Sequence, residues 1–346
     1  MRILFATARN PRFATITEYI ERAVRLLGHD LSSFDDRNFV LPGRVREAIT
    51  PLDRFDLSLL NRRLRHAVRQ QRPDLLLCAG GERILPETVE AARATGTRTA
   101  LWTTDPVKPG DPRIALAPHF DLVFCAGTEM IEALRGSRLR KEPRWLPFAC
   151  DPELHRPLNL SSEEKSSYGC GIAFVGSLHP ELYPTRIAML EALAEFDLGV
   201  WGPGGRDLPA SSSIRSKIRG EETRLEEWTR IYSASKILLC AHYGGPGPVC
   251  RQASPRVYEI LACGGFLLCD NQPDVQVLFE DGRDLVIFRN LSELREKAFY
   301  YLDRDQERRG IAARGREKVL AAHTYQHRVA ELMSMVTGAR WEPPPR

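Results

Sequence analysis

Short runs of consecutive apolar residues alternate along the chain with longer segments in which apolar residues recur every three or four positions. The first pattern is typical of buried parallel strands, and the second is typical of amphipathic helices that cover them. In the first half, the pattern predicts strands at residues 3–6, 74–78, 99–102 and 122–125 and helices at residues 17–27, 57–71 and 86–95. Gly28, Pro73 and Gly96 follow these helices and are expected to end them.

The same alternation starts again after residues 159–170, a polar and serine-rich stretch that predicts a loop. The second half has predicted strands at residues 172–175, 198–201, 237–240 and 266–269 and predicted helices at residues 186–195, 223–235, 291–303 and 305–323. Repeated strand–helix units indicate an α/β fold with parallel sheets and right-handed connections.

The chain has 346 residues, which is too many for one ordinary hydrophobic core. We therefore predict an N-terminal domain at residues 1–150, a C-terminal domain at residues 151–330 and a tail at residues 331–346. A linker near residues 147–157 is expected to act as the hinge between the two domains.

Composition narrows the class of protein without indicating a reaction. The content of 43% hydrophobic and 27% charged residues is that of a soluble globular protein, and no apolar run reaches transmembrane length. A net charge of +4 is too small to indicate nucleic-acid binding by itself. The eight cysteines form no CxxC pair and no zinc-ligand spacing, so we expect free thiols and a cytoplasmic location.

The most informative segment is a predicted helix with a single acidic residue, Glu259, among apolar neighbours. Ser254 and Pro255 are start signals for this helix, and Gly264 follows its end. The segment order places Glu259 near the carboxyl end of a parallel sheet, where α/β proteins bind nucleotides. A carboxylate there can accept both hydroxyls of a ribose. The helix start at Ser254 and Pro255 is expected to present N–H groups to a diphosphate, and Arg256 adds a cation. The alternatives are an exposed helix carboxylate and an ordinary capped helix start with a solvent-facing arginine.

The sequence Ser-Pro-Arg-Val-Tyr-Glu-Ile-Leu-Ala-Cys-Gly at residues 254–264 resembles the C-terminal half of group 1 glycosyltransferases, and most closely the CgeB-like spore-maturation proteins. The resemblance is close over residues 218–332 and looser, but in order, back to Met1. It implies the GT-B fold, in which two Rossmann-like domains with parallel sheets face each other across a cleft. It also implies a UDP-, GDP- or dTDP-sugar donor whose ribose is bound by Glu259.

The resemblance adds candidates for the donor site. Gly176 and Ser177 match the first turn of the second domain, where a small residue lets backbone approach phosphate. Arg186 or His179 is then expected to reach that phosphate. Gly220 lies in a segment that borders the nucleobase in the family, and Tyr243 opens a glycine- and proline-rich loop expected to contact the donor or acceptor. A surface loop without a ligand is the alternative for the segment of Gly220.

On the acceptor side, Asp105 follows the strand at residues 99–102 and is the candidate catalytic base, with a simple Asp-Pro turn as the alternative. Two positions depart from the family pattern. Residues 9–11 stand where many relatives have a glycine-rich loop, and Arg251 stands where many retaining enzymes have a second glutamate. Retention or inversion at the sugar carbon is therefore left open. His242 is either a further donor contact or a strand-end histidine with internal partners.

The leading hypothesis is a hexosyltransferase that uses a nucleotide diphosphate sugar without a metal ion, so that cations and helix ends stabilise the leaving diphosphate. The acceptor is not indicated and could be a protein, a glycan, a small molecule or a nucleic acid. The alternative is a catalytically degenerate GT-B domain that binds a nucleotide sugar or a partner. A nucleotide-sugar epimerase is a weaker hypothesis, because the sequence shows no convincing set of acid and base residues.

Overall fold

Two six-stranded parallel sheets form the framework of the described chain. The computed structural model describes residues 1–10, 14–221, 225–244 and 249–339. These residues form two compact units, of which unit 1 contains residues 1–147 and 328–339, and unit 2 contains residues 148–327. Each sheet lies within one unit. No helix among the described residues is both long enough and apolar enough to cross a membrane.

The sheet of unit 1 has the strand order β2-β1-β3-β4-β5-β6. Its strands are β1 Arg2–Thr7, β2 Asp30–Asp35, β3 Leu75–Ala79, β4 Arg98–Thr103, β5 Leu122–Cys125 and β6 Arg144–Trp145. The helices that accompany it are α1 Ile16–Leu26, α2 Gly43–Ala48, α3 Thr50–Gln71, α4 Pro86–Ala94, α5 Pro112–Leu116 and α6 Thr128–Ala133. All of the strand pairs are parallel, as the continuous apolar runs predict.

The sheet of unit 2 has the strand order β12-β11-β10-β7-β8-β9. Its strands are β7 Ile172–Val175, β8 Leu198–Trp201, β9 Ile218–Gly220, β10 Ile237–Cys240, β11 Leu267–Asp270 and β12 Val286–Phe288. The remaining helices are α7 Ser162–Tyr168, α8 Pro184–Ala192, α9 Leu225–Ala234, α10 Pro255–Ala262, α11 Pro273–Leu278, α12 Leu291–Leu302, α13 Asp305–Ala322 and α14 Tyr325–Thr337.

This strand order is that of a doubly wound dinucleotide-binding sheet. The chain starts in the middle of the sheet at β7, builds outward through β8 and β9, and then returns to the other side of β7 at β10. The switch point between β7 and β10 leaves a crevice at the carboxyl ends of the strands, and ligands bind there in open α/β sheets. A ligand-binding site is therefore expected at the segments that follow β7 and β10.

The strand predictions are confirmed most closely where a strand is buried on both faces. The predicted strands at residues 122–125, 172–175, 198–201 and 237–240 match β5, β7, β8 and β10 to the residue, and every residue of these strands is buried. The other four predicted strands agree with the structure to within one residue at each end.

Two predictions about irregular segments are wrong, and one open alternative is excluded. Residues 159–170, predicted as a loop, contain α7, which begins with a capping box between Ser161 and Glu164. Residues 331–337, predicted as part of a tail, belong to α14. Residues 218–220, for which a surface loop was an open alternative, form the edge strand β9. The predicted helix start at Thr223, the loop residues 245–248 and the end of the predicted tail at residues 340–346 lie outside the described residues.

Candidate functional site

Helix α10 begins beside the end of β10, next to the switch point of the sheet. Ser254 is its N-cap, and the hydroxyl of Ser254 accepts a hydrogen bond from the Arg256 N–H at 3.4 Å, with Pro255 in the first turn. The N–H of Ser254 in turn donates to Nε2 of His242, two residues beyond the end of β10, at 2.9 Å. The predicted start of the helix is thus confirmed, and it is tied to the strand end by a side chain.

Glu259 lies on α10 as a buried carboxylate, with 7% of the residue exposed. Among the described residues, no hydrogen bond or ion pair reaches its side chain. Burial raises the pKa of Glu259 to about 7, the charge of Arg256 opposes this shift, and Cys240 adds to it. An unpaired charge in such surroundings costs several kcal/mol. A buried acid without an internal partner is a feature of binding and catalytic sites, where a ligand supplies the missing partner.

Arg256 precedes Glu259 by three residues, so the two side chains leave α10 on the same face. The guanidinium of Arg256 also has no hydrogen bond or ion pair among the described residues. It lies against the turn after β7, because a Cβ placed on Gly176 would be 3.2 Å from Nη2 of Arg256. Burial and the charge of Arg256 lower the pKa of Arg186 to about 10. No carboxylate in the described parts of the chain is bonded to either of these two nearby cations, so an anion would be stabilised between them.

The N–H groups in the first turn of α10 are already bonded within the helix start. Ser254 accepts from the Arg256 N–H through its hydroxyl and from the Val257 N–H through its carbonyl, at 3.4 and 3.0 Å. The expectation that this helix end presents free N–H groups to a phosphate is therefore not met. The guanidinium of Arg256 is the group at this end of the helix that is open to an anion.

The turn after β7 is packed closely against the turn after β8. Gly202 adopts φ +144°, and a Cβ there would lie 2.0 Å from the carbonyl oxygen of Gly176. The Gly176 N–H donates to the carbonyl oxygen of Trp201 at 2.8 Å, and the Gly202 N–H donates to that of Gly220 at 2.8 Å. The backbone at Gly176 is thus closely approached by the neighbouring turn and by Arg256, and its predicted approach to phosphate stays a prediction. The sequence signal for the tight turn at Gly202 is the Gly-Pro-Gly-Gly run directly after β8.

Arg186 is held by backbone acceptors of two neighbouring segments, and its predicted contact with phosphate stays a prediction. The residue is buried, and its guanidinium donates to the carbonyl oxygen of Ser177 at 2.9 Å and to that of Ala241 at 2.9 and 3.2 Å. The same guanidinium lies 3.9 Å from the ring centroid of Tyr183. Arg186 therefore joins the turn after β7 to the end of β10 and fixes the width of the crevice between them.

Replacing Arg186 by methionine should destabilise unit 2. The two carbonyl groups that it binds would lose their donors, and a buried acceptor left unsatisfied costs about 1–3 kcal/mol. We expect a loss of roughly 2–4 kcal/mol in the free energy of unfolding, measured by urea denaturation. Arg206→Ala is the matched control, because Arg206 is 86% exposed and its one ion pair within the described residues is a surface pair with Glu221. Equal stability of the two variants would contradict the structural role of Arg186.

The other donor-site candidates lie near these turns. Tyr243 is half-buried and packs edge-on against Tyr183, with the ring centroids 5.7 Å apart. The hydroxyl of Thr185 donates to the carbonyl oxygen of Gly244 at 2.5 Å, which ties the segment after β10 to the start of α8. Gly220 ends the edge strand β9 and binds Gly202 through its carbonyl. The structure thus places Tyr243 at the switch point and Gly220 two strands away.

In unit 1, Asp105 lies at the carboxyl end of β4, as predicted, and its side chain is exposed. The hydroxyl of Thr104 donates to its carboxylate at 3.4 Å. The backbone around it is held by the buried guanidinium of Arg113, which donates to the carbonyl oxygens of Asp105 and Pro106 at 2.9 and 2.8 Å. Arg113 is itself paired with the buried Asp111. A rigid loop therefore presents an accessible carboxylate, which is what a general base requires.

Sequence reasoning assigned no role to Asp270 and left two alternatives for His242. In the structure, Nδ1 of His242 lies 2.6 Å from Oδ1 of Asp270, so the histidine has internal partners on both ring nitrogens. The signal available in the sequence was an acidic residue that closes the otherwise apolar strand β11.

Known proteins resemble this chain over part of its sequence and over its whole fold. Residues 186–334 match a family model described as glycosyl transferase-like, and this segment, which includes α10, is less than half of the chain. No curated protein sequence matches the chain. HepE of Anabaena, solved in complex with UDP and glucose, is similar with a TM-score of 0.68 and 12% identity over 98% of this chain and 100% of that one.

Two further solved structures are similar to this chain over nearly its whole length. A sucrose-phosphate synthase of Thermosynechococcus elongatus has a TM-score of 0.70 and 11% identity over 98% of this chain and 99% of that one. A glycosyltransferase of Rickettsia africae has a TM-score of 0.67 and 12% identity over 97% and 98% of the two chains. The fold is GT-B. The likeness covers both units of this GT-B chain. Asp105 lies in one Rossmann-like unit, and Glu259 and Arg256 lie in the other.

Proposed function

We propose that this protein is a glycosyltransferase that binds a nucleotide diphosphate sugar in unit 2 and transfers the sugar to an acceptor. The observation that carries the proposal is the state of α10, where a buried acid and a cation on one helix face both lack partners among the described residues. Unpaired groups of opposite sign, three residues apart, suit a ligand that has hydroxyl donors next to an anion. A ribose joined to a diphosphate is such a ligand.

The roles of the two residues follow from their chemistry. The carboxylate of Glu259 accepts hydrogen bonds from the two ribose hydroxyls, which relieves the cost of its burial. The guanidinium of Arg256 binds the diphosphate beside Gly176 and neutralises the charge that develops on it as the sugar leaves. Arg186 contributes its field from behind the turn without direct contact. We propose that these groups act without a metal ion.

The comparisons support UDP as the first nucleotide to test, because HepE is described in complexes with UDP and with UDP-glucose. The matched family segment contains both Arg256 and Glu259. The narrower kinship with CgeB-like proteins and the transfer of a hexose are part of the proposal. The acceptor-side candidate is Asp105, whose exposed carboxylate would remove the proton from an acceptor hydroxyl.

Calorimetric titration with UDP, GDP and dTDP, and with the corresponding glucose conjugates, tests the proposal directly. We expect one nucleotide to bind in the micromolar range, which corresponds to about −8 kcal/mol. Slow hydrolysis of the matching sugar donor, measured as release of the nucleotide, would show that the protein has a catalytic centre. Binding without any hydrolysis or transfer would favour the degenerate binding module, and no binding at all would contradict both.

Replacing Asp105 by asparagine should slow sugar transfer at least tenfold while the donor affinity stays unchanged. The amide keeps the size of the side chain and its contact with Thr104 but cannot accept a proton. The measurements are kcat at saturating donor and the calorimetric Kd of the nucleotide. Unchanged turnover would remove Asp105 as the base, and weaker donor binding would indicate a role other than proton transfer.

A further inference from the structure

His242 and Asp270 form a buried polar pair between the ends of the adjacent strands β10 and β11. Their side chains are 1% and 9% exposed, and Nδ1 of His242 lies 2.6 Å from Oδ1 of Asp270. The carboxylate of Asp270 also accepts from the His242 backbone N–H at 3.1 and 3.2 Å and from Nε2 of Gln272 at 3.1 Å. Asp270 is therefore held in one orientation, and it fixes the imidazole ring in turn.

The bond on the other side of the ring defines the protonation state of His242. Nε2 lies 2.9 Å from the backbone nitrogen of Ser254, which can only donate. Nε2 must then offer a lone pair, so the proton of a neutral imidazole is on Nδ1 and is donated to Asp270. Burial lowers the pKa of His242, but Asp270 and Cys240 outweigh it and raise this pKa to about 10, which by itself would favour an imidazolium. An imidazolium would have no lone pair for the Ser254 N–H, so the hydrogen-bond geometry indicates the neutral ring.

The hydrogen bonds from Asp270 through His242 end at Ser254, the N-cap of α10. This helix carries Arg256 and Glu259. We propose that His242 and Asp270 are positioning residues for the nucleotide, which set the start of α10 so that its two unpaired side chains meet the ribose and the diphosphate. The inference rests on the proposed function and adds the device that holds the site. Arg256 is two residues and Glu259 five residues beyond the capped position, so a displaced first turn moves both.

Two thiols lie beside the pair and suggest a metal site as the competing explanation. The ligand atoms of Cys240, His242 and Cys269 all lie within 4.8 Å of one another. However, a metal ion on Nδ1 would leave the proton of a neutral ring on Nε2, and Nε2 could then not accept from the Ser254 N–H. The hydrogen bond to Ser254 therefore favours the positioning role. The two explanations predict opposite tautomers of His242, with the proton on Nδ1 for the positioning role and on Nε2 for the metal site.

Two substitutions of His242 separate its two contacts. In His242→Gln, the side-chain amide reaches about as far as Nε2, and its oxygen can accept from the Ser254 N–H. In His242→Asn, the amide reaches only about as far as Nδ1, so the contact with Asp270 is kept and the acceptor for Ser254 is lost. We expect the Kd and the KM of the nucleotide sugar to rise about tenfold in His242→Asn and to stay within about threefold of wild type in His242→Gln. The kcat should change little in either variant.

Thermal unfolding of both variants shows whether each is folded, and a long-range ¹H–¹⁵N spectrum of histidine-labelled protein gives the tautomer without any ligand. A spectrum with the proton of His242 on Nδ1, together with selective loss of affinity in His242→Asn, supports the inference. Equal affinities of the two variants, a proton on Nε2, or one tightly bound zinc ion per chain by elemental analysis would overturn it. Wild-type protein that binds no nucleotide overturns the proposed function as well, whereas unchanged affinity in both variants overturns the positioning role alone.

Discussion

Replacing Glu259 by glutamine should weaken nucleotide-sugar binding by about 100-fold and at the same time stabilise the free protein. A carboxylate that accepts two ribose hydroxyls makes charge-assisted hydrogen bonds worth about 1.5–3 kcal/mol each. Glutamine keeps the shape and one neutral acceptor, so we expect a net loss of roughly 3 kcal/mol of binding energy, measured by calorimetry with the nucleotide that binds wild type.

The gain in stability follows from the missing internal partner of Glu259. The buried acid has a pKa of about 7 in the folded chain against 4.5 for the unperturbed group. The folded state therefore keeps a proton that the unfolded state releases between these values. Below pH 4.5 the burial of Glu259 costs no charge, and as the pH rises to 7 the chain loses up to roughly 3 kcal/mol of stability. Glutamine removes this penalty.

The pH dependence separates the glutamate from all other titrating groups. Comparing urea unfolding of wild type and Glu259→Gln at pH 5 and pH 8 cancels what the two proteins share. We expect the variant to be more stable by about 1–3 kcal/mol at pH 8, with a smaller difference at pH 5. Wild-type affinity for UDP-glucose should also fall as the pH drops below 7, because the protonated acid accepts weakly, and the variant should lack this fall.

Each outcome has one meaning for Glu259. Weaker binding with greater stability shows a residue retained for a ligand at the expense of the fold. Lower stability with unchanged binding would show that Glu259 has a structural partner in solution, and it would remove the residue from the site.

How far the sequence predicts this structure depends on where the determining contacts lie. The strands β7, β8 and β10 were predicted to the residue because both faces of each strand are buried, so the run of apolar residues is the strand itself. The start of α10 was predicted because Ser254 and Pro255 act locally. In contrast, α7 has no buried residue and therefore no apolar stripe, and only the capping box at Ser161 signals it.

The site was predicted in the same uneven way. Glu259 could be identified because an isolated acid on an apolar helix is visible in one segment. The role of Arg186 could not, because its carbonyl partners Ser177 and Ala241 belong to two other segments that meet only in the folded sheet. The pairing of His242 with Asp270 depends on the parallel register that places Cys240 beside Cys269. Knowledge of which strands are neighbours is what a single sequence lacks here.

Replacing Arg256 by methionine should weaken the binding of UDP and UDP-glucose by about 100-fold and leave the binding of uridine unchanged. The guanidinium has no internal partner to lose among the described residues, so the substitution removes a charge-assisted contact with the diphosphate and little else. Relief of its repulsion with Arg186 should also stabilise the free protein slightly. The measurement is calorimetric Kd for the three ligands, with Arg206→Ala as the control that removes an exposed arginine of the same unit.

The two substitutions on α10 together test which part of the nucleotide each residue binds. Glu259→Gln should weaken uridine and UDP by the same factor, since both ligands carry the ribose, whereas Arg256→Met should affect only ligands with the diphosphate. Arg256→Lys keeps the charge but not the paired donors, and we expect it to recover about tenfold of the lost affinity. If Arg256→Met weakens uridine and UDP equally, the cation does not bind phosphate. In that case α10 would bind a different ligand, because a ribose joined to a diphosphate requires the two substitutions to differ in their effect on uridine.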